Sequence, residues 1–204
     1  TNMIRSYIHR CQKDGVKIVM NCEVTPELIK EEKPDSVIIA TGSKTLILPI
    51  EGIDNPAIIH GSDLLDGKRA AGKKVLVVGG GMVGCETAAF LGEQEHDVTV
   101  IEFRDTVGAD VIHEHRVYLM KDFEDYGIKE ITGAKVCKFY EDGVEYETAD
   151  GVRHESRGYD SVILSMGFRN YNPLEEKIKD LVPETHVIGD AIRARRALDA
   201  TKEA

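Results

Sequence analysis

The sequence predicts an α/β fold in which a parallel sheet is joined to an antiparallel β-meander, and three observations carry that expectation. Residues 75–102 run as apolar strand, glycine-rich turn, helix and apolar strand, the pattern of a βαβ unit. Asp142-Gly143 and Asp150-Gly151 sit between short runs rich in Val, Tyr and Phe, which reads as two tight turns of a meander over about residues 134–155. Asp35-Ser36-Val37-Ile38-Ile39 followed by Gly42 recurs as Asp160-Ser161-Val162-Ile163-Leu164 followed by Gly167, so two similar strands imply two similar domains.

Taken in order, Met3 to Lys13 carries Ile4, Tyr7, Ile8 and Cys11 at helical spacing and stops at Gly15. A strand is expected at Val16 to Met20. Thr25-Pro26-Glu27 supplies an N-cap, a first-turn proline and an acid at the positive end of a short helix reaching about Lys33. Val37 to Ala40 is a continuous apolar run, the signature of a strand buried on both faces. Residues 43–72 are rich in Gly and Pro and read as a crossing between domains, with one helical turn at Ser62 to Leu65. A strand at Val75 to Val78, a helix at Val83 to Glu93 and a strand at Val98 to Glu102 follow. Asp110 is expected to open a helix running to about Asp125 and ending at Tyr126-Gly127. Beyond the meander come a strand at Val162 to Leu164, a helix near Leu174 to Lys179, a strand at His186 to Ile188 and a last helix beyond Ala191.

The 204 residues are 42% hydrophobic and 30% charged, enough for one ordinary core or two small ones. No apolar run approaches the roughly 18 residues of a membrane span. Thr1-Asn2-Met3-Ile4-Arg5 does not open like a signal peptide, so a soluble, cytoplasmic protein is expected, with no membrane partner. A formal charge of −10 disfavours nucleic acid as a partner. Cys11, Cys22, Cys85 and Cys137 are too scattered for a CxxC pair or a zinc site.

Gly79-Gly80-Gly81-Met82-Val83-Gly84 matches G-x-G-x-x-G, directly after a strand and opening a helix. Gly79 permits the tight turn, Gly81 leaves room for a pyrophosphate, and Gly84 lets helix and strand pack closely. The helix N-terminus then faces the phosphates. Glu102 ends the next strand, where a carboxylate accepts hydrogen bonds from a ribose and repels a 2′-phosphate, which favours NAD(H); Arg104, with Phe103 between them, is the residue that could instead accommodate the phosphate. A purely structural glycine turn, or an S-adenosylmethionine site, is the competing reading.

With these motifs in place the chain resembles the flavoproteins built from two dinucleotide-binding domains, related to the pyridine nucleotide-disulfide oxidoreductases. Ile39-Ala40-Thr41-Gly42 resembles their FAD-domain "ATG" segment, and Gly79 to Gly84 with Glu86 resembles the NAD fingerprint. Ser165-Met166-Gly167 looks like the degenerate second "ATG", and Val187-Ile188-Gly189-Asp190 like the motif whose aspartate binds the FAD ribityl chain. Within that group the chain looks most like the C-terminal part of NADH:flavin reductases of the 2,4-dienoyl-CoA reductase, enoate reductase and trimethylamine dehydrogenase type. The resemblance implies a Rossmann-like NAD-binding domain (residues 69–167) inserted in a partial FAD-binding domain (residues 1–68 and 168–204). It implies NAD(H) bound by residues 79–84, Glu86, Glu102, Phe103, Arg104, Met166 and Gly167, and FAD touched by Ala40, Thr41, Gly42, Gly189 and Asp190. FMN and a 4Fe-4S cluster would belong to an N-terminal barrel, the partner this chain lacks. No FAD-type glycine fingerprint is present, so the chain as given is expected to hold FAD weakly and to turn over poorly.

No catalytic dyad or nucleophile is expected, which suits hydride transfer, where cofactors carry the chemistry. His113-Glu114-His115 is not a metal motif, because positions two apart do not share a helix face. Glu86 is either directed toward the nicotinamide or an ordinary first-turn glutamate, and Asp190 either a flavin ligand or the cap of the last helix. Arg193, Arg195 and Arg196 form a solvated face or a contact with the absent domain, and Cys85 a small buried side chain. Exposed apolar edges would promote homo-oligomers. The alternative function is a non-catalytic module holding ADP or NAD.

Overall fold

The computed structural model describes residues 2–204, which form two compact units: the chain up to Gly42 with Asn170–Ala204, and Ser43–Arg169. Residues 43–68, placed with the first piece by the sequence reading, therefore build part of the second unit.

The first unit opens with α1 (Asn2–Lys13), closed as expected at Gly15, whose φ is +75°. Its apolar stripe of Ile4, Tyr7 and Ile8 is exposed. Residues 16–20 form no strand: they lack a neighbour to complete a ladder, and Val16, Ile18, Val19 and Met20 all face solvent. Next, α2 (Pro26–Glu32) begins as the sequence dictates, with the Thr25 hydroxyl accepting from the Leu28 N–H at 3.3 Å, and Lys33 closes it in the left-handed region. β1 (Ser36–Ile39) follows. It is not buried on both faces, since Ile39 is buried and Ile38 is 64% exposed.

The second unit contains β2 (Ser43–Thr45), β3 (Ile59–His60), α3 (Gly61–Leu65), β4 (Lys74–Val78), α4 (Met82–Glu93) and β5 (Asp97–Ile101). Then come α5 (His113–Asp125), β6 (Lys129–Ile131), the meander β7 (Lys135–Tyr140), β8 (Gly143–Glu147) and β9 (Arg153–Ser156), then β10 (Ser161–Leu164) and β11 (Phe168–Asn170), which pairs with β2 and whose last residue is the first of the returning segment of the first unit. The chain completes the first unit with α6 (Glu175–Ile178), β12 (Glu184–Val187), a 3₁₀ turn at Gly189–Ala191 and α7 (Ala197–Glu203).

The sheet that positions the site runs β3-β10-β4-β5-β6, all parallel. Alternation along β4 splits its faces: Val75 and Val77 pack with Cys85, Ala88, Leu91 and Phe123 from the helices, whereas Leu76 and Val78 pack with Phe139 and Val144 of the meander. Both faces are thus covered, as an all-apolar parallel strand requires. β6 was not anticipated; Lys129 and Glu130 are exposed on this edge strand, so its sequence lacks an apolar run.

The expected start of α5 moves from Asp110 to His113, because the Asp110 side chain caps a different helix, described below. The first meander turn also shifts by one residue. Tyr140 pairs with Gly143, leaving Glu141 and Asp142 as the loop, and a Cβ on Gly143 would collide with the Ser156 carbonyl of the adjoining strand. The Asp150-Gly151 turn stands as expected, with Thr148 and Val152 bonded across it.

The first unit's core gathers Ile29, Ile39, Leu174, Ile178, Val182 and Ala191. β1 pairs in parallel with β12. No helix is long and apolar enough to cross a membrane among the described residues.

These burials set an expected contrast. Leu76→Ala, at a fully buried position, lowers stability by about 2–5 kcal/mol, whereas Ile38→Ala changes it by less than about 0.5 kcal/mol. Urea unfolding followed by circular dichroism measures both; equal losses would contradict the assigned core.

Candidate functional site

The βαβ unit β4-α4-β5 turns on Gly79 to Gly84, at the carboxyl end of the central strand. The chain order reverses here, since β5 and β6 lie to one side of β4 and β10 to the other. Crevices of open α/β sheets form at such switch points. Gly79 has a φ of +105°, and a Cβ there would strike the Ser165 carbonyl; one on Gly84 would overlap the carbonyl oxygen of Gly79. These two glycines are required by close packing. α4 therefore starts directly against the sheet, with Gly81 as an N-cap that has no side chain.

Two acids hold this turn from the β5 side. Glu102 Oε2 accepts from the Gly80 N–H at 2.6 Å, and Oε1 accepts from the Arg104 N–H at 2.9 Å. Asp110 Oδ1 accepts from the Met82 N–H at 2.9 Å. The Gly80 carbonyl in turn accepts from the Gly108 N–H at 2.7 Å and from the Cys85 thiol at 3.2 Å. Burial, the largest influence on Cys85, pushes its pKa up to about 12. It is a packing residue, as expected.

Sequence-predicted residues of the second unit thus converge. Gly79 to Gly84, Glu102 and the segment Ser165-Met166-Gly167 meet at the ends of β4, β5 and β10, with the Ser165 N–H donating to the Val78 carbonyl at 2.8 Å. Phe103 and Arg104 are exposed beside Glu102, Phe103 at 69%. Glu86 points out of α4 toward α5, where its carboxylate lies 3.4 Å from His115 Nε2. Thr45, Ser62, Val83, Ser165 and Gly167 line a small cleft at the same end of the sheet. The Ser165 hydroxyl there is buried without a hydrogen-bond partner. The residues missed by the sequence reading are Gly108 and Asp110. Their signal in the sequence is a Gly-Ala-Asp step after β5, in which Asp110 reads as the start of α5.

The first unit brings its own predicted residues to one strand end. The parallel pairing of β1 and β12 sets Ala40, Thr41 and Gly42 beside Gly189 and Asp190, with the Ile188 N–H bonded to the Ile39 carbonyl at 3.0 Å. Gly42 and Gly189 have φ of +74° and +62°. The Thr41 hydroxyl donates to the Tyr171 carbonyl, and Asp190 Oδ1 accepts from the Arg195 N–H at 3.0 Å. The Glu203 carboxyl lies below its ordinary pKa, held there by the Arg195 guanidinium and by the Gly189 N–H that donates to it at 2.7 Å. Arg195 and Arg196 are thus ion-paired, to Glu203 and Asp199. No cluster of three metal-ligating side chains occurs among the described residues.

An α/β fold with a glycine-loop helix at a sheet switch point belongs to the class of dinucleotide-binding folds. The chain is a member of the pyridine nucleotide-disulphide oxidoreductase family, whose model matches residues 12–188. It is 30% identical over 189 residues to a cinnamate reductase of Clostridium sporogenes, covering 91% of this chain and 28% of that protein. An NADH oxidase of Thermoanaerobacter brockii is 32% identical over 191 residues, covering 91% of this chain and 29% of the relative. Among solved structures, a 2-naphthoyl-CoA reductase complexed with 2-naphthoyl-CoA superposes with a TM-score of 0.87 at 32% identity, over 98% of this chain and 30% of that one. Histamine dehydrogenase from Rhizobium sp. 4-9 shares the fold, with a TM-score of 0.73 at 17% identity, over 90% of this chain and 31% of that one. The chain therefore spans less than a third of each of these relatives.

The burial and raised pKa of Cys85 predict its chemistry. At pH 8 on the order of one Cys85 in ten thousand is thiolate, so iodoacetamide modifies exposed Cys22 rapidly and Cys85 only after unfolding. Peptide mapping of the labelled native protein checks this; early modification of Cys85 would contradict its packing role.

Proposed function

We propose that the chain is the NAD(H)-binding part, with portions of the FAD domain, of an FAD-dependent NADH oxidoreductase. The observation that carries this reading is the glycine loop: its required glycines, the helix behind it and the Glu102 carboxylate fixed beside it suit a dinucleotide. Membership of the family and the likeness to an NADH oxidase support the same assignment. The residues present suit the group, since Gly81 at the N-cap of α4 puts no side chain over the first amides and the Glu102 carboxylate is fixed beside the loop.

In this reading the backbone N–H groups at the start of α4 bind the pyrophosphate. Glu102, oriented by the Gly80 and Arg104 amides, accepts from the adenosine ribose, and the exposed Phe103 ring flanks the adenine. Met166, Gly167 and Glu86 serve the nicotinamide end. Ala40, Thr41, Gly42, Gly189 and Asp190 contribute to FAD, with Gly42 and Gly189 turning the backbone through the left-handed region at the strand ends. NADH held by these residues would supply a hydride to the flavin, and a further redox centre of the full-length protein would accept the electrons. FMN and a 4Fe-4S cluster in an N-terminal barrel are proposed for that longer, cytoplasmic enzyme. Its size is consistent with the limited share of each relative that this chain spans.

Calorimetric titration tests the assignment. NADH is expected to bind this chain about tenfold more tightly than NADPH, through repulsion between Glu102 and a 2′-phosphate, and Arg104→Ala should widen the gap. Tighter NADPH binding would overturn the role given to Glu102. A stoichiometric flavin absorption band in the purified chain would overturn the expected weak retention of FAD.

A further inference from the structure

α4 provides nothing of its own for its first N–H groups. Its N-cap is a glycine and its first turn contains no acid. The acceptor for Met82 comes instead from Asp110, and a Cβ on Gly81 would stand 3.2 and 3.5 Å from the two Asp110 oxygens, so the whole carboxylate lies over the turn. The segment that brings it is well anchored. Gly108 is bonded to Gly80, Val107 is fully buried, and the Arg116 guanidinium donates to the Val107 carbonyl at 3.1 Å. Asp110 itself is exposed, so its side chain can rotate into solvent without uncovering any core.

Pyrophosphate recognition at a glycine loop uses the first-turn amides of the following helix. One N–H cannot hold a carboxylate oxygen at 2.9 Å and a phosphate oxygen equally well, and the two anions repel. We propose that Asp110 is an internal stand-in for the dinucleotide phosphates, an autoinhibitory contact that the incoming pyrophosphate displaces. This inference rests on the dinucleotide reading above. Asp110 thereby lowers affinity for the nucleotide and eases its release, while keeping the N-terminus of α4 capped when the phosphates leave.

Titrations of NADH, ADP-ribose and adenosine into the wild-type chain, Asp110→Ala and Asp110→Asn test it, with thermal melting run in parallel. Asp110→Ala is expected to bind NADH and ADP-ribose about tenfold more tightly, the scale of one charge at a helix N-terminus. Asp110→Asn, which keeps an acceptor for Met82 but no charge, is expected to fall between the two. Adenosine, which has no phosphate, should bind all three alike. Should Asp110→Ala fail to fold, the Asp110→Asn comparison decides. Unchanged or weaker NADH binding in folded variants, or an equal gain for adenosine, would overturn the inference while wild-type binding left the dinucleotide reading standing. Failure of NADH to bind any of the three would overturn both.

Discussion

The distance between α4 and β4 governs most of what this chain can do. Gly84 packs its α-carbon so near the Gly79 carbonyl that no side chain fits, and Gly79 is likewise too close to the Ser165 carbonyl at the end of β10 for one. Those two approaches bring the helix N-terminus flush against the ends of β4 and β10. The buried sheet behind them fixes the position, because Val75 to Val78 are held by packing on both faces. A turn that is tight for reasons of packing also starts α4 on a residue without a side chain, so the close helix–strand packing and the bare helix N-terminus both come from missing side chains.

The turn is also bound to the connection after β5 by bonds in both directions. Glu102 and Asp110 accept from Gly80 and Met82, and Gly108 donates back to Gly80. The two acids occupy different situations. Glu102 is partly buried with each oxygen satisfied by a separate backbone N–H, whereas Asp110 has one such bond and faces water. Equal formal charges are therefore held unequally, one by two backbone bonds and the other by one.

What could be read in the sequence followed the range of the interactions concerned. The Thr25 cap, the glycine fingerprint, the parallel strands around it and the Asp150-Gly151 turn are local patterns, and each sits where the residues placed it. Val16 to Met20 has the composition of a strand, but a strand needs a neighbour, and composition says nothing about whether one is there. The apolar run at Val37 to Ala40 misleads similarly, since Ile38 faces solvent on a sheet of two strands. Asp110 is the instructive case. It is a helix cap, as its residue type suggests, yet it caps a helix that begins 28 residues earlier in the chain. Only the folded path of residues 102–111 brings those two points together.

The double engagement of Glu102 bears on how such a site can evolve. Its carboxylate is at once the group proposed to choose between cofactors and a fastener between β5 and the glycine loop. Removing the charge also removes at least one of the two acceptors, since even glutamine keeps a single oxygen for the Gly80 and Arg104 amides, so a change of coenzyme preference arrives with a loosened scaffold. A lineage moving toward the phosphorylated coenzyme would need a compensating acceptor in place first. The order of substitutions along that route is therefore constrained by mechanics as well as by selectivity.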